Sequence, residues 1–322
     1  MKQVTLSKEN ILGLIAIGLF VLMSISVPGF LSSNNLTNMM FQLPEFGLFA
    51  LAMMVVIVTG GIDLSITYTA ALAGVAIAIL SSNGYPMIIA ILGGIAVGLL
   101  CGFMNGFIIA KIGVSPILVT LGTMVLFERL ILSITKGNSI SGFSPEYTLI
   151  GNGYYLGLIP LSIIIFLFVA ILTSVLLNKT VWGRSVYMVG SNPVASLFSG
   201  VNNSKVLMKV YLYSALLAAI ASIIMTSRYN TVKVDLGSSY LLQSVAAAVL
   251  GGTEIQGGYG KVIGTLYAVM IFQMISSGLN LMGVPRPIVT VIMGVILIAV
   301  LIINFIKVKV DENKQKKLAE TA

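Results

Sequence analysis

Histidine is missing from this 322-residue chain, and cysteine occurs once, at Cys101 inside an apolar run. A single thiol makes no disulfide within the chain, and without imidazole or paired thiolates no zinc or haem site of the usual kind can be assembled. Charge is scarce as well: Asp, Glu, Lys and Arg make up 9% of the residues, against 57% hydrophobic. The mean hydropathy is +1.05, more than a soluble core of this length can hide. A phosphate-binding loop is also lacking. QGGYGKV (256–262) holds a Gly-Lys pair, but Val262 stands where a Ser or Thr hydroxyl is required. These absences remove most metal, redox and nucleotide chemistry; an all-α integral membrane protein is expected, and a membrane enzyme is disfavoured for want of a clear nucleophile and base pair. The net charge of +8 would suggest nucleic acid in a soluble protein. Here the basic residues sit at the ends of apolar runs, where membrane orientation explains them, and nucleic acid is not expected as a partner.

What is present is a succession of apolar runs divided by short polar links. Lys2 and Lys8 precede a first run at 11–27, which lacks a small-residue cleavage site and is long for a leader, so it reads as an uncleaved span. Further spans are expected at 46–59 with Pro44 at its start, then at 66–80, 87–110, 116–135, 160–177, 206–226, 240–250, 262–281 and 288–306. The 240–250 stretch is short for a full crossing and either tilts or forms a broken helix. Residues 136–157, rich in Gly and aromatics, suit an external interfacial loop. About ten spans put both termini on one side. Lys111, Lys179, Arg184, Lys205, Lys209, Lys261 and the lysines from Lys307 onward then share that side, whereas the opposite links hold only Lys136, Arg228, Lys233 and Arg286. The bias marks the first side as cytoplasmic. The expected organisation is one transmembrane domain over 1–306 and a charged cytoplasmic tail at 307–322.

The helices are interrupted at GGIDLS (60–65), GGTEIQGGYG (251–260) and VPRP (284–287). Broken helices leave backbone groups that lipid cannot satisfy, so each break is buried in protein, lines a wet cavity or lies at the interface. Asp63, with Ser65 beside it, serves either as the cap of the next helix or as the anchor of a moving gate, and Glu254 poses the same choice. Glu128 and Arg129 lie within the fifth run, where each would cost about 2.5 to 3.5 kcal/mol at mid-bilayer. They either pair with other helices along a pathway or sit at a subunit or headgroup boundary. Asn105, Thr120 and Asn280 are the uncharged groups best suited to meet the hydroxyls of a passing solute, with interhelical hydrogen bonding as the alternative. Gly94, Gly98, Gly102 and Gly106 have the spacing for close helix packing.

The longest polar interruption runs over 179–209. Within it Asn192 can cap a brief helix, Pro193 fits its first position and Gly200 its left-handed stop. Val194, Ala195, Leu197 and Phe198 give that helix an apolar surface, yet it is too short to stand alone in water. It is expected to dock into a separate protein on the cytoplasmic side and to receive mechanical work from it.

Five segments in order, TGGIDLS (59–65), NGFIIAKIGVSPILVTLGTM (105–124), GRSVYMVGSNPVASLFSGV (183–201), VLGGTEIQGGYGKVIGT (249–265) and GLNLMGV (278–284), resemble the ribose-type membrane permeases of bacterial ATP-binding-cassette importers, kin of the autoinducer-2 and other sugar permeases. The resemblance implies that the 183–201 segment carries the coupling helix inserted into an ATPase subunit, marking Gly190, Asn192, Pro193, Ala195, Ser196, Leu197, Phe198 and Gly200. It implies a multi-pass protein of the bacterial cytoplasmic membrane, working with ATPase subunits that hold ATP and Mg, a second permease copy or paralogue, and an extracytoplasmic solute-binding protein. No cofactor is expected in this chain. Asp63, Ser65, Asn105, Thr120 and Asn280 are then the candidates for the translocation pathway. The sequence departs from the family pattern at Ser196, where a small Ala is usual, at Ile66-Thr67-Tyr68, and at Glu254. The rival reading is an ion-coupled secondary carrier, which needs a titratable group at mid-membrane, a place that only Glu128 occupies in this span assignment.

Overall fold

The computed structural model describes residues 8–285 and 287–302, and these are almost wholly helical. In chain order the helices are α1 (Lys8–Ser26), α2 (Ser33–Ile57), α3 (Ile66–Ser82), α4 (Met87–Phe107, prolonged by a wider turn over Ile108–Ile112), α5 (Pro116–Thr135), α6 (Pro145–Asn152), α7 (Leu161–Lys179), α8 (Val181–Ser191), α9 (Pro193–Phe198), α10 (Asn203–Tyr229), α11 (Tyr240–Leu250), α12 (Val262–Leu281) and α13 (Pro287–Ile302). Seven are long and apolar enough to cross a membrane, and α3, α11 and α13 are shorter apolar helices. Together they supply the expected spans of an all-α, multi-pass membrane protein. The end expected for the last span at Ile306, and the tail over 307–322, lie outside the described residues.

The second span differs from expectation. A proline inside a helix loses a hydrogen bond and costs about 3 kcal/mol or more, which is why Pro44 reads as a start. The helix instead begins at Ser33, where the Ser32 hydroxyl accepts from the Asn35 N–H at 3.3 Å, and continues through Pro44. Every residue from Pro44 to Ile57 is buried, and this packing offsets the missing bond. The shift moves Glu45 from the end of a helix to its middle.

The centre of the molecule is α2 with α10. Against α10 lies α4, held close by its glycines: Gly98 faces Ala219, Gly102 faces Ala215 and Gly106 faces Met208. A methyl group at Gly102 would meet the Tyr211 carbonyl at 2.7 Å. Gly94 faces the other way, onto Ile77 and the Ala73 carbonyl of α3. The spacing seen in sequence thus fixes two helix contacts. Outward faces of α4, α5 and α7 carry large exposed apolar residues such as Leu100, Leu118 and Phe168, as a lipid-facing rim requires.

The links sort into two ends. At one, β1 (Ile140–Ser141) pairs antiparallel with β4 (Thr231–Val232), Ile140 opposite Val232. There α6 lies across the end of α10, the Tyr147 hydroxyl 2.6 Å from Thr226 Oγ1 and the Gly151 N–H donating to Ser227 Oγ at 2.7 Å. The sequence gives this segment as turn and loop alone; α6 is too short and too polar to announce itself. A two-residue hairpin, β2 (Tyr154–Tyr155) with β3 (Ile159–Pro160), leads into α7. At the opposite end, the end that carries α9, Lys261 Nζ meets Glu9 Oε1 at 3.0 Å and the Gly258 N–H donates to the Val58 carbonyl at 2.8 Å. This division is the one that alternating spans require.

Candidate functional site

The polar interruption over 179–209 is an elbow of two helices. The Thr180 hydroxyl accepts from the Gly183 N–H at 3.0 Å and so starts α8, a helix that the sequence reading had folded into the polar link. The chain then turns at Asn192, whose backbone is extended (φ −158°, ψ 101°) and whose Oδ1 accepts from the N–H groups of Val194 and Ala195 at 3.0 and 2.9 Å. Pro193 occupies the first position of α9. At the far end Gly200 takes φ +80°, its N–H donating to the Leu197 carbonyl while the Val201 N–H reaches back to Ser196, the paired closure that left-handed glycine permits.

One side of α9 is held and the other is bare. Ser196, the departure from the family pattern, is buried; its hydroxyl donates to Asn203 Oδ1 at 2.8 Å, and the Asn203 amide donates to the Pro193 carbonyl at 2.7 Å. These bonds tie α9 to the first turn of α10. Val194, Leu197 and Phe198 are exposed by 63%, 62% and 87%. Lys179, Arg184, Lys205 and Lys209 stand exposed around them. An exposed apolar tip of this kind on a short helix is out of keeping with a free aqueous surface.

The root of α9 is wedged between two helix breaks. A methyl group on Gly190 would run into the Val58 carbonyl at the end of α2, and one on Gly257 would meet the Gly60 N–H at 2.8 Å and the Gly190 carbonyl at 2.9 Å. Gly257 and Gly258 both take positive φ. Three stretches of main chain thus touch with no side chain between them. Nearby, the Tyr187 hydroxyl donates to the Gly260 carbonyl at 2.7 Å, and burial pushes that phenol up, so it stays a donor. The hydrogen bond from Lys261 to Glu9 holds the Lys261 ammonium above the usual lysine range.

Four of the five expected pathway residues come together at the break between α2 and α3. Asp63 Oδ1 accepts from the Ser65 N–H at 3.0 Å and from the Ser65 hydroxyl at 2.7 Å, Asn105 of α4 donates to Ser65 Oγ at 2.8 Å, and Thr120 of α5 donates to the Ile62 carbonyl at 3.0 Å. All four are buried. The carboxylate holds Ser65, the residue before α3, while the first turn of α3 receives no side-chain cap; the amide and hydroxyl fasten two further helices to the break. Asn280 lies apart, near the other end of the molecule.

A family model described as branched-chain amino acid transport system, permease component, matches residues 35–301. The chain belongs to this permease family. It is 40% identical over 292 residues to the ribose import permease protein of Bacillus subtilis, covering 89% of this chain and 90% of that protein. It is also 36% identical over 277 residues to the autoinducer 2 import system permease protein of Escherichia coli O9:H4, covering 83% and 84%. No solved structure matches.

The permease also contains a charged site that the sequence reading missed. Glu45 is fully buried in α2, about 18 Å along the helix from Ile57 at 1.5 Å per residue. Arg228 Nη1 reaches its Oε1 at 3.0 Å, and the hydroxyls of Tyr229 and Tyr240 donate to its Oε2 at 2.7 and 3.2 Å. The guanidinium lies over the Phe41 ring at 5.6 Å and over the Tyr229 ring at 5.4 Å. The signal available was an acid next to an apolar run. It was masked by reading Pro44 as a boundary. Glu128, by contrast, is half-buried and Arg129 exposed on α5.

Proposed function

We propose that this chain is the transmembrane subunit of an ATP-driven importer for a sugar or sugar-like solute, working by alternating access. The observation that carries the proposal is α9: a capped six-residue helix whose apolar tip faces outward and which follows directly on the end of α8, where Gly190 presses on the end of α2 and on the 251–260 break. ATP binding by separate ATPase subunits, which hold the nucleotide and Mg, supplies the difference in affinity between two states that a conformational cycle needs. Moving α9 shifts the breaks at 58–65 and 251–261 together. In this reading the α9 end is cytoplasmic, with both termini there, in agreement with the lysine and arginine bias. Residues 1–306 form one transmembrane domain, and a second permease copy or a paralogue completes the pathway. A binding protein delivers the solute at the α6 end. Asp63, Ser65, Asn105 and Thr120 form the fastening that a gate must loosen.

The importer permeases among the relatives support the class, and the ribose permease supports the choice of a sugar. An ion-coupled carrier would need an acid free to titrate at mid-membrane; Glu45 is engaged by Arg228 and two tyrosines, which leaves Glu128, half-buried on α5. Uptake that persists without ATP but collapses with the proton gradient would favour that carrier. Replacing Leu197 and Phe198 by Asp should leave the chain in the membrane but abolish co-purification with its ATPase. Retained co-purification together with retained uptake would refute the coupling role of α9.

A further inference from the structure

A small polar cavity opens between α2, α11, α12 and α13. Its volume is about 80 Å3. Asn280, one residue from the outer end of α12, Thr290 in the first turn of α13 and Gln243 of α11 lie at its upper side. Deeper, Gln273 Nε2 donates to Gln42 Oε1 at 3.0 Å. Phe46, Phe272 and Val289 complete the lining and are nearly inaccessible. Phe46 stacks on Tyr240 with centroids 5.7 Å apart, and Phe272 stands edge-on to Phe46 at 6.1 Å. The cavity therefore lies toward the α6 end of the bundle, where α12 ends and α11 and α13 begin.

The lining is unusual for this chain. Three primary amides from glutamine, one from Asn280 and the hydroxyls of Ser239, Ser276 and Thr290 gather here. Among the described lining residues none is acidic or basic. Each amide offers two N–H donors and a carbonyl acceptor, and the bond between Gln42 and Gln273 uses only one of each kind. Paired donors and acceptors beside an aromatic wall match a vicinal diol whose C–H face lies on a ring. They offer nothing to balance a carboxylate or an ammonium.

We infer that this cavity is the point inside the permease that grips the solute, and that it selects uncharged polyhydroxylated molecules by one hydroxylated edge. One hydroxylated edge enters among the amides, its hydroxyls taking the place of the waters such a polar cavity holds, and the remainder of the solute lies toward Asn280. The inference rests on the importer reading, and the test separates the two. The complete transporter, permease with its ATPase and binding protein, is reconstituted in vesicles with Gln243→Cys or Asn280→Cys; the native Cys101 is buried. Labelling by an impermeant thiosulfonate is followed with and without D-ribose, then other neutral pentoses and hexoses. The imported sugar should slow labelling several-fold at both positions, and Gln273→Leu should raise the half-saturating sugar concentration about tenfold, the value of one lost hydrogen bond. If a neutral sugar is imported but labelling at both positions proceeds at the same rate with and without it, the cavity is not the site, whatever Gln273→Leu does. If the complex imports no neutral sugar with ATP, the importer reading falls, and this inference with it.

Discussion

At the scale of single residues the Glu45–Arg228 pair is the most consequential contact in the chain. A buried ion pair adds little over a well-packed apolar pair, but removing one member strands the other in a medium that cannot solvate it. Arg228→Met should therefore lower stability by about 3 kcal/mol, read from thermal unfolding in detergent, whereas Arg228→Met with Glu45→Leu should recover most of the loss. Equal stability of the single and double variants would remove the pair from the account. The sequence hid Glu45 for a definite reason: proline is the strongest local stop signal, and only the burial of the whole 44–57 face overrides it. Ser196 was visible as an oddity but not as a tie to Asn203, because a bond across a turn leaves no periodic trace. Asp63 and Ser65 stand out at a helix break and Asn105 and Thr120 by polarity, and polarity inside an apolar chain also brings all four together in space.

At the scale of elements the short helix α9 was legible and its neighbour α8 was not. Asn192, Pro193 and Gly200 are signals that act within a few residues, so they survive without any knowledge of the fold. The start of α8 depends on Thr180, a weaker cap, inside a stretch whose polar and apolar residues suit either helix or link. Since the Asn192 cap carries two N–H bonds, Asn192→Ala should fray α9 by about 1 kcal/mol. If α9 docks into an ATPase subunit as proposed, that corresponds to about fivefold weaker binding, measurable by titrating the labelled ATPase into permease nanodiscs. Asn192→Ser should restore most of the affinity. If the alanine variant binds as tightly as the parent, the shape of α9 does not govern docking. The helix α6 escaped the sequence reading because its eight residues are held by the end of α10, a contact between positions far apart in the chain.

At the scale of the whole molecule, the ten apolar helices among the described residues follow from the hydrophobic runs, and the short 240–250 span was legible as such, whereas the shortness of α3 and α13 was not. Nor was the joining of the breaks at 58–61, 190–191 and 257–258, since glycine in a sequence gives no address for what approaches it. The orientation is open to direct measurement. Cysteine at Phe198 should react with an impermeant reagent only after the vesicle or cell is opened from the cytoplasmic side, whereas cysteine at the exposed Tyr155 should react from outside. The reverse pattern would overturn the proposed direction of work. At the glycine junction main chain lies directly on main chain. Side chains can rotate to absorb a displacement; peptide groups in contact cannot. A pull on the elbow has no slack to take up there, so both halves of the bundle must answer it in the same stroke.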